Sequence, residues 1–320
     1  MRVLVTGSGG FIGGHLVKAL LDRGDEVRAV DIKPLAGWHQ VHEGAENRGD
    51  WDLRNAALSA SAARDCDLVL ALAADMGGMG YLTFHEADVM TWNTLISVNT
   101  IQAAVKARVP RLLYASSACV YPEFRQDTPY VVLLAEDMAV PAAPDLAYGW
   151  EKLATERLLA AYQAEGRLET RVARLHNIFG PDGTYDGGRE KAPAALCRKA
   201  ALAPDGGEIE VWGDGEQTRS FCYITDCAEG LLKLAESDYS GPLNIGSDRL
   251  VTIDQLARMA VRASGKKLGI RHVEGPQGVR GRNSDNALCR KVLAWEPQVT
   301  LEDGMARTYE WIASQLAVAA

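Results

Sequence analysis

A chain of 320 residues with 47% hydrophobic content can bury a full core and divide into a larger and a smaller domain, so a soluble globular protein is expected. Its 34 Lys and Arg stand against 42 Asp and Glu, a net charge of -8, which argues against non-specific binding of nucleic-acid phosphates; any anionic ligand must be held locally. Cys66, Cys119, Cys197, Cys222, Cys227 and Cys289 form no CxxC pair or Cys/His metal spacing, and no apolar run approaches a membrane span, so the expectation is a reduced, cytoplasmic protein with no metal site.

Arg2 to Thr6 reads as a strand, Gly7-Ser8-Gly9-Gly10-Phe11-Ile12-Gly13 as a glycine-rich turn, and the residues to about Arg23 as an amphipathic helix. A glycine turn between strand and helix lets the backbone approach a pyrophosphate, which then rests on the helix N-terminus. A second strand, Glu26 to Val30, ends in Asp31, an acid placed to accept the adenosine ribose hydroxyls and to repel a 2′-phosphate. NAD is therefore expected over NADP, with Lys33 as the one opposing charge nearby. Asp52 reads equally as the cap of the next helix or as an adenine contact. Asp67 to Ala73 is a buried strand followed by the loop Ala74 to Gly80, and a long helix from His85 to Arg108 carries Asn93 and Asn99.

The stretch Arg111 to Tyr121 starts as a buried strand after Pro110 and ends in small polar residues. Ligands of open parallel sheets bind beyond the strands' carboxyl ends, so Ser116, Ser117 and Cys119 are expected to face a crevice. Alternating strands and helices from residue 2 onward predict an α/β fold, a Rossmann-type doubly wound parallel sheet over residues 1–175, closing on Arg171 to Leu175. A smaller C-terminal α/β substrate domain over 176–320 follows, with some later segments returning to the first.

Tyr148 and Lys152 are spaced i, i+4 and share one face of a helix. An ammonium near a phenol favours the phenolate, so Tyr148 is expected as a base at neutral pH, with Ser117 sharing the hydrogen bond of the substrate hydroxyl. Beside a bound nicotinamide dinucleotide, this set removes a hydride from a carbinol carbon.

The glycine motif, the Ser117, Tyr148 and Lys152 set and the chain length resemble the extended short-chain dehydrogenase/reductases that modify nucleotide sugars, the NAD-dependent epimerase/dehydratase family. Finer runs carry the resemblance along nearly the whole chain: AADMGGMG from 73, YASSACVYPEF from 114, AYGWEKLATE from 147, RLHNIFGPDGTYDGGREKAPAALCRKA from 174, WGDGEQTRSF from 212 and GVRGRNSDN from 278. They are similar to the branch of that family that acts on GDP-mannose. The resemblance implies NAD as cofactor, a GDP-sugar substrate, a homodimer, and no nucleic-acid or membrane partner. It implies epimerisation of GDP-D-mannose at C3 and C5 to GDP-L-galactose through a transient 4-keto sugar, with GDP-L-gulose as a C5-only by-product.

By the same resemblance Ser117, Cys119, Tyr148, Lys152 and Lys191 are the catalytic residues, Cys119 and Lys191 forming an acid/base pair across the sugar. Gly7, Gly10, Phe11, Ile12, Gly13, Asp31, Asp52 and Ala73, with Tyr148 and Lys152, would hold the cofactor. Gly77, Ser117, Ala118, Cys119, Asn177, Glu190, Lys191, Ala192, Lys199, Gln217, Arg219, Arg280 and Arg282 would hold the substrate, with the division of work between the last two open. A 4-epimerase, a 4,6-dehydratase or a GDP-sugar mutase on the same scaffold is the competing reading.

Overall fold

The structure, a computed structural model, describes residues 1–130, 133–276 and 278–319. Its first half alternates β1 (Arg2–Thr6), α1 (Phe11–Asp22), β2 (Glu26–Val30), β3 (Glu46–Arg48), α2 (Ala56–Ala63), β4 (Leu68–Ala71), α3 (Met79–Phe84), α4 (Glu86–Lys106), β5 (Arg111–Ser117), α5 (Ala147–Ala164) and β6 (Glu169–Leu175). Its second half begins with β7 (Ile178–Phe179), α6 (Ala192–Leu202), β8 (Glu208–Trp212), β9 (Thr218–Ser220), β10 (Cys222–Tyr223), α7 (Ile224–Glu236) and β11 (Pro242–Ile245). It ends with β12 (Leu250–Thr252), α8 (Ile253–Ser264), β13 (Gly269–Val273), β14 (Gly281–Arg282), α9 (Ala287–Leu293) and α10 (Leu301–Ala319).

Strands β1, β4 and β5 are short, nearly continuous apolar runs, as expected of parallel strands covered on both faces. They form the middle of a 7-stranded parallel sheet in the order β11-β6-β5-β4-β1-β2-β3. One apolar layer joins Leu16 and Leu20 of α1 to Leu231 and Leu234 of α7; the opposite layer joins Ala62 of α2, Ile101 of α4 and Leu159 of α5. From β1 the chain winds out through β2 to β3, then returns to β4 and winds the other way, so the strand order reverses between β1 and β4. That reversal opens a crevice at the strands' carboxyl ends, where Gly7 and Ala73 lie against one another.

Three elements depart from the sequence reading, the first being β3, whose Glu-Asn-Arg carries no apolar signal yet pairs with β2. The sheet does not close on β6, because β11 adds beyond it, pairing Pro242↔Val172 through Ile245↔Leu175. With four residues, a leading proline and a central Asn244, that strand carries little periodic signal. The loop read from 74 to 80 also ends early: Met79 and Gly80 already belong to α3. Beside the main sheet, α6, α8 and α10 pack with the parallel pair β8 and β13, and β12, β9 and β14 form a small sheet of their own. No helix among the described residues is long and apolar enough to cross a membrane.

Candidate active site

The turn after β1 is shaped for close approach. Gly7 takes a left-handed φ of +74°, and a Cβ on Gly13 would stand 2.2 Å from the Gly7 carbonyl oxygen. Gly10 caps α1 without a side-chain hydrogen bond, so no side chain competes for the helix's first N–H groups. Asp31, buried at the end of β2, accepts the Gly9 N–H at 3.0 Å and the Lys33 N–H at 2.9 Å, which ties the acid to the glycine turn. Asp52 does not cap α2: Asn55 accepts the Ala57 N–H at 2.9 Å, while Asp52 pairs with Arg54 at 2.7 Å, which holds its carboxyl below the usual range. Gly7, Gly10, Phe11, Ile12, Gly13, Asp31, Asp52 and Ala73 line one cavity of about 580 Å³, together with Ser117, Tyr148 and Lys152.

Strand β5 and helix α5 bring the reactive groups together. A Cβ on Gly149 would lie 2.2 Å from the Cys119 carbonyl oxygen, so only glycine lets α5 pack this close to the end of β5. Tyr148 and Lys152 share the inner face of α5; the Lys152 ammonium donates to the Ala115 carbonyl at 3.0 Å and lies 5.6 Å from the centre of the Tyr148 ring. Burial pushes the Tyr148 phenol above its ordinary value, and Lys152 pulls it down by less. Burial thus opposes the lysine's pull on the phenol, so the two influences on the base expected at Tyr148 act in opposite directions. Ser117 lines the cavity, its hydroxyl accepting the Cys119 N–H at 3.2 Å. Ser116 also lines the cavity, with its hydroxyl donating to Glu156 at 2.5 Å.

A second cavity of about 300 Å³ adjoins the first, and Met76, Gly77, Ser117, Asn177 and Lys191 line both. Cys119 lies in its wall and accepts from the Arg282 guanidinium at 3.3 Å. Lys191, the N-cap of α6, reaches into both cavities, and the protein packed around it holds its ammonium below the ordinary value. Ala118, Glu190, Ala192, Lys199, Gln217 and Arg219 complete the wall. Lys199 donates to the Glu210 carbonyl at 2.8 Å, and Asn177 to that of Ser220 at 2.9 Å. Burial, with Arg282 nearby, brings Arg219 down to about 9, a cation that gains by meeting an anion. One oxygen each on Glu190 and Gln217 is buried without a hydrogen-bond partner among the described residues.

Arg280 is the substrate candidate not brought to this wall. It pairs with Asp214 at 3.0 Å on the outside, whereas Arg282 is buried against Cys119 in the cavity wall. Sequence reasoning missed Gln126, whose side-chain amide oxygen accepts from Arg282 at 2.6 Å, and Asp145, 3.7 Å from the same guanidinium. Both come from irregular segments with no spacing to betray them. No group of three or more His, Cys, Asp or Glu gathers as a metal site among the described residues.

A nicotinamide dinucleotide fits this crevice: a turn whose missing Cβ atoms make room for a pyrophosphate, a helix N-terminus behind it, and an acid at the end of β2. Residues 3–246 match the model of the NAD dependent epimerase/dehydratase family. The chain is 46% identical over 317 residues to a GDP-mannose 3,5-epimerase of Arabidopsis thaliana, covering 99% of this chain and 83% of that protein. The chain belongs to the NAD-dependent epimerase/dehydratase family. Among solved structures, a UDP-glucose 4-epimerase of Thermotoga maritima with UDP-glucose superposes with a TM-score of 0.87 at 24% identity, covering 99% of this chain and 100% of that one, and shows the same fold. MoeE5 in complex with UDP-glucose and NAD superposes with a TM-score of 0.82 at 29% identity, covering 99% and 100%. In this family member Tyr148 and Lys152 line the first cavity, Cys119 lines the second, and Ser117 and Lys191 line both.

Proposed function

We propose that the enzyme epimerises GDP-D-mannose at C3 and C5 to GDP-L-galactose, with GDP-L-gulose as a C5-only by-product. The observation that carries this reading is the placement of Cys119 and Lys191 in the wall of one cavity that adjoins the Tyr148, Lys152 and Ser117 set. The 46% identity to a GDP-mannose 3,5-epimerase supplies the substrate class. Gly7 to Gly13 and Asp31 would hold NAD, which would supply a hydride acceptor when bound.

Tyr148 takes the proton of the sugar C4 hydroxyl while Ser117 shares its hydrogen bond, and Lys152 moderates the charge left on the phenol. A ketone at C4 makes the protons on C3 and C5 acidic. Cys119 and Lys191 then work as a pair, one removing a proton from one face and the other returning one to the opposite face. The protein around the Lys191 ammonium lowers its hold on the proton, which favours exchange nearer neutral pH than for a free lysine. Arg219 and Lys199 meet the negative charge of the nucleotide diphosphate. A 4-epimerase would use Tyr148 and Lys152 but give the Cys119 and Lys191 pair no task, and a 4,6-dehydratase would be expected to carry an acidic residue near the place of Cys119.

The enzyme is further proposed to be a cytoplasmic homodimer in which residues 176–320 mainly serve the substrate. Six free cysteines suit a reducing compartment. Exposed Met90 and Leu95 on α4 and Trp150 on α5, helices that pack side by side, offer a face for a second copy; Leu95→Asp should convert a dimer to a monomer in light scattering. The activity is tested by incubating purified enzyme with GDP-mannose and analysing the sugars released by acid. Galactose and gulose are expected, and recovery of mannose alone refutes the proposal.

A further inference from the structure

Lys191 closes a stretch, 180–190, that holds no helix or strand, and Gly187 and Gly188 in it take left-handed φ values of 86° and 81°. Such a stretch does little to fix the lysine at its end. Restraint comes instead from the opposite wall. The Gly78 N–H donates to the Arg189 carbonyl at 3.1 Å, and a Cβ on Gly78 would stand 2.8 Å from the Glu190 carbonyl oxygen. The Arg189 guanidinium lies over the Tyr81 ring, 3.7 Å from its centre, and donates to one oxygen of Asp75 at 3.0 Å. The Tyr81 hydroxyl donates to the other oxygen at 2.7 Å.

Asp75 is anchored in turn. Asn93, buried in α4, accepts its N–H at 2.6 Å and donates to its carbonyl at 2.9 Å. Contacts therefore run without a break from the packed face of α4 to the residue two places before Lys191. They cross where Met76, Gly77 and Lys191 line both cavities. An exposed ion pair alone contributes little, but here one planar guanidinium stacks on an aromatic face while it holds a carboxylate, a combination a lysine cannot reproduce.

We infer that Arg189 is a positioning residue, whose clasp on Asp75 and Tyr81 holds Lys191 against the sugar while protons move at C3 and C5. This rests on the activity proposed above. Losing both contacts should slow the proton steps roughly tenfold and leave the C4 hydride step unchanged.

The test uses full-length enzyme with GDP-mannose in D₂O, following deuterium at C5 and the absorbance of the reduced nicotinamide in one reaction. Arg189→Ala should label C5 about tenfold more slowly while reduced cofactor accumulates, because oxidation outruns the proton steps. Arg189→Lys should not restore the rate, and Arg189→Ala combined with Tyr81→Leu should be no slower than Arg189→Ala alone. Amide exchange at Gly78 should speed up in Arg189→Ala, a change read without any turnover. Parallel slowing of both steps, full rescue by lysine, additive defects, or unchanged exchange at Gly78 each overturns the clasp. A wild type that converts no GDP-mannose counts against the proposed activity, and exchange at Gly78 then decides the clasp alone.

Discussion

Lys152→Met removes a buried ammonium 5.6 Å from the centre of the Tyr148 ring and leaves a side chain of similar length. At an effective dielectric of about 20, a unit charge at that distance is worth about 3 kcal/mol to a phenolate, or roughly a hundredfold in the phenolate fraction. Burial already pushes the Tyr148 phenol up and Lys152 is the largest influence drawing it down, so the variant should hold its proton still more tightly. The direct assay is single-turnover reduction of the nicotinamide by GDP-mannose across a range of pH, with NAD saturating. At neutral pH the step should slow about a hundredfold, its rising limb should move to higher pH, and the loss should shrink as the medium becomes more alkaline. A loss of the same size at every pH would show that Lys152 shapes the site without setting the charge on Tyr148.

Gly13→Ala places a Cβ against the Gly7 carbonyl and should abolish the rise in melting temperature that NAD gives the wild type; Gly80→Ala, whose Cβ meets nothing within 4 Å, should keep it. Wild type should bind NAD more tightly than NADP in a fluorescence titration, and Asp31→Ser should narrow the gap; equal affinities in the wild type would remove the role given to Asp31. His176 is fully buried, and burial brings its imidazole down to about 3 from 6.5. The unfolded chain therefore takes up a proton that the native one refuses, so this contribution to stability is complete above pH 6.5 and is lost as pH falls toward 3, at up to ~1.4 kcal/mol per pH unit. Urea midpoints of His176→Gln should fall less steeply with acid than those of wild type over that window.

Strands β1, β2, β4, β5 and β6 were legible because buried parallel strands leave apolar runs, whereas β3, Glu46–Arg48, has no apolar residue and was hidden in a polar stretch; the cofactor crevice was legible because only glycine suits Gly7 and Gly13. The two serines at the end of β5 both line the crevice, as the sequence reading placed them, but they use their hydroxyls differently: that of Ser116 donates to Glu156, while that of Ser117 accepts the Cys119 N–H. Arg280 and Arg282 were inseparable by spacing, since i and i+2 share a strand face, but β14 starts only at Gly281 and Arg280 turns out to Asp214. The balance on Tyr148 was hidden for another reason. An i, i+4 lysine announces attraction, whereas the burial that outweighs it depends on residues far away in the chain.

Whether Cys119 and Lys191 invert carbons next to a transient ketone is tested most directly by the fate of three hydrogens. GDP-mannose turned over in D₂O should yield product labelled at C3 and C5, with the C4 hydrogen retained because it leaves and returns as hydride. In Cys119→Ala and Lys191→Ala the labelling should slow by roughly 10²- to 10⁴-fold, the worth of a positioned acid or base. Product free of deuterium at both C3 and C5 would contradict the account, and label at C6 with a lasting keto sugar would point to a dehydratase.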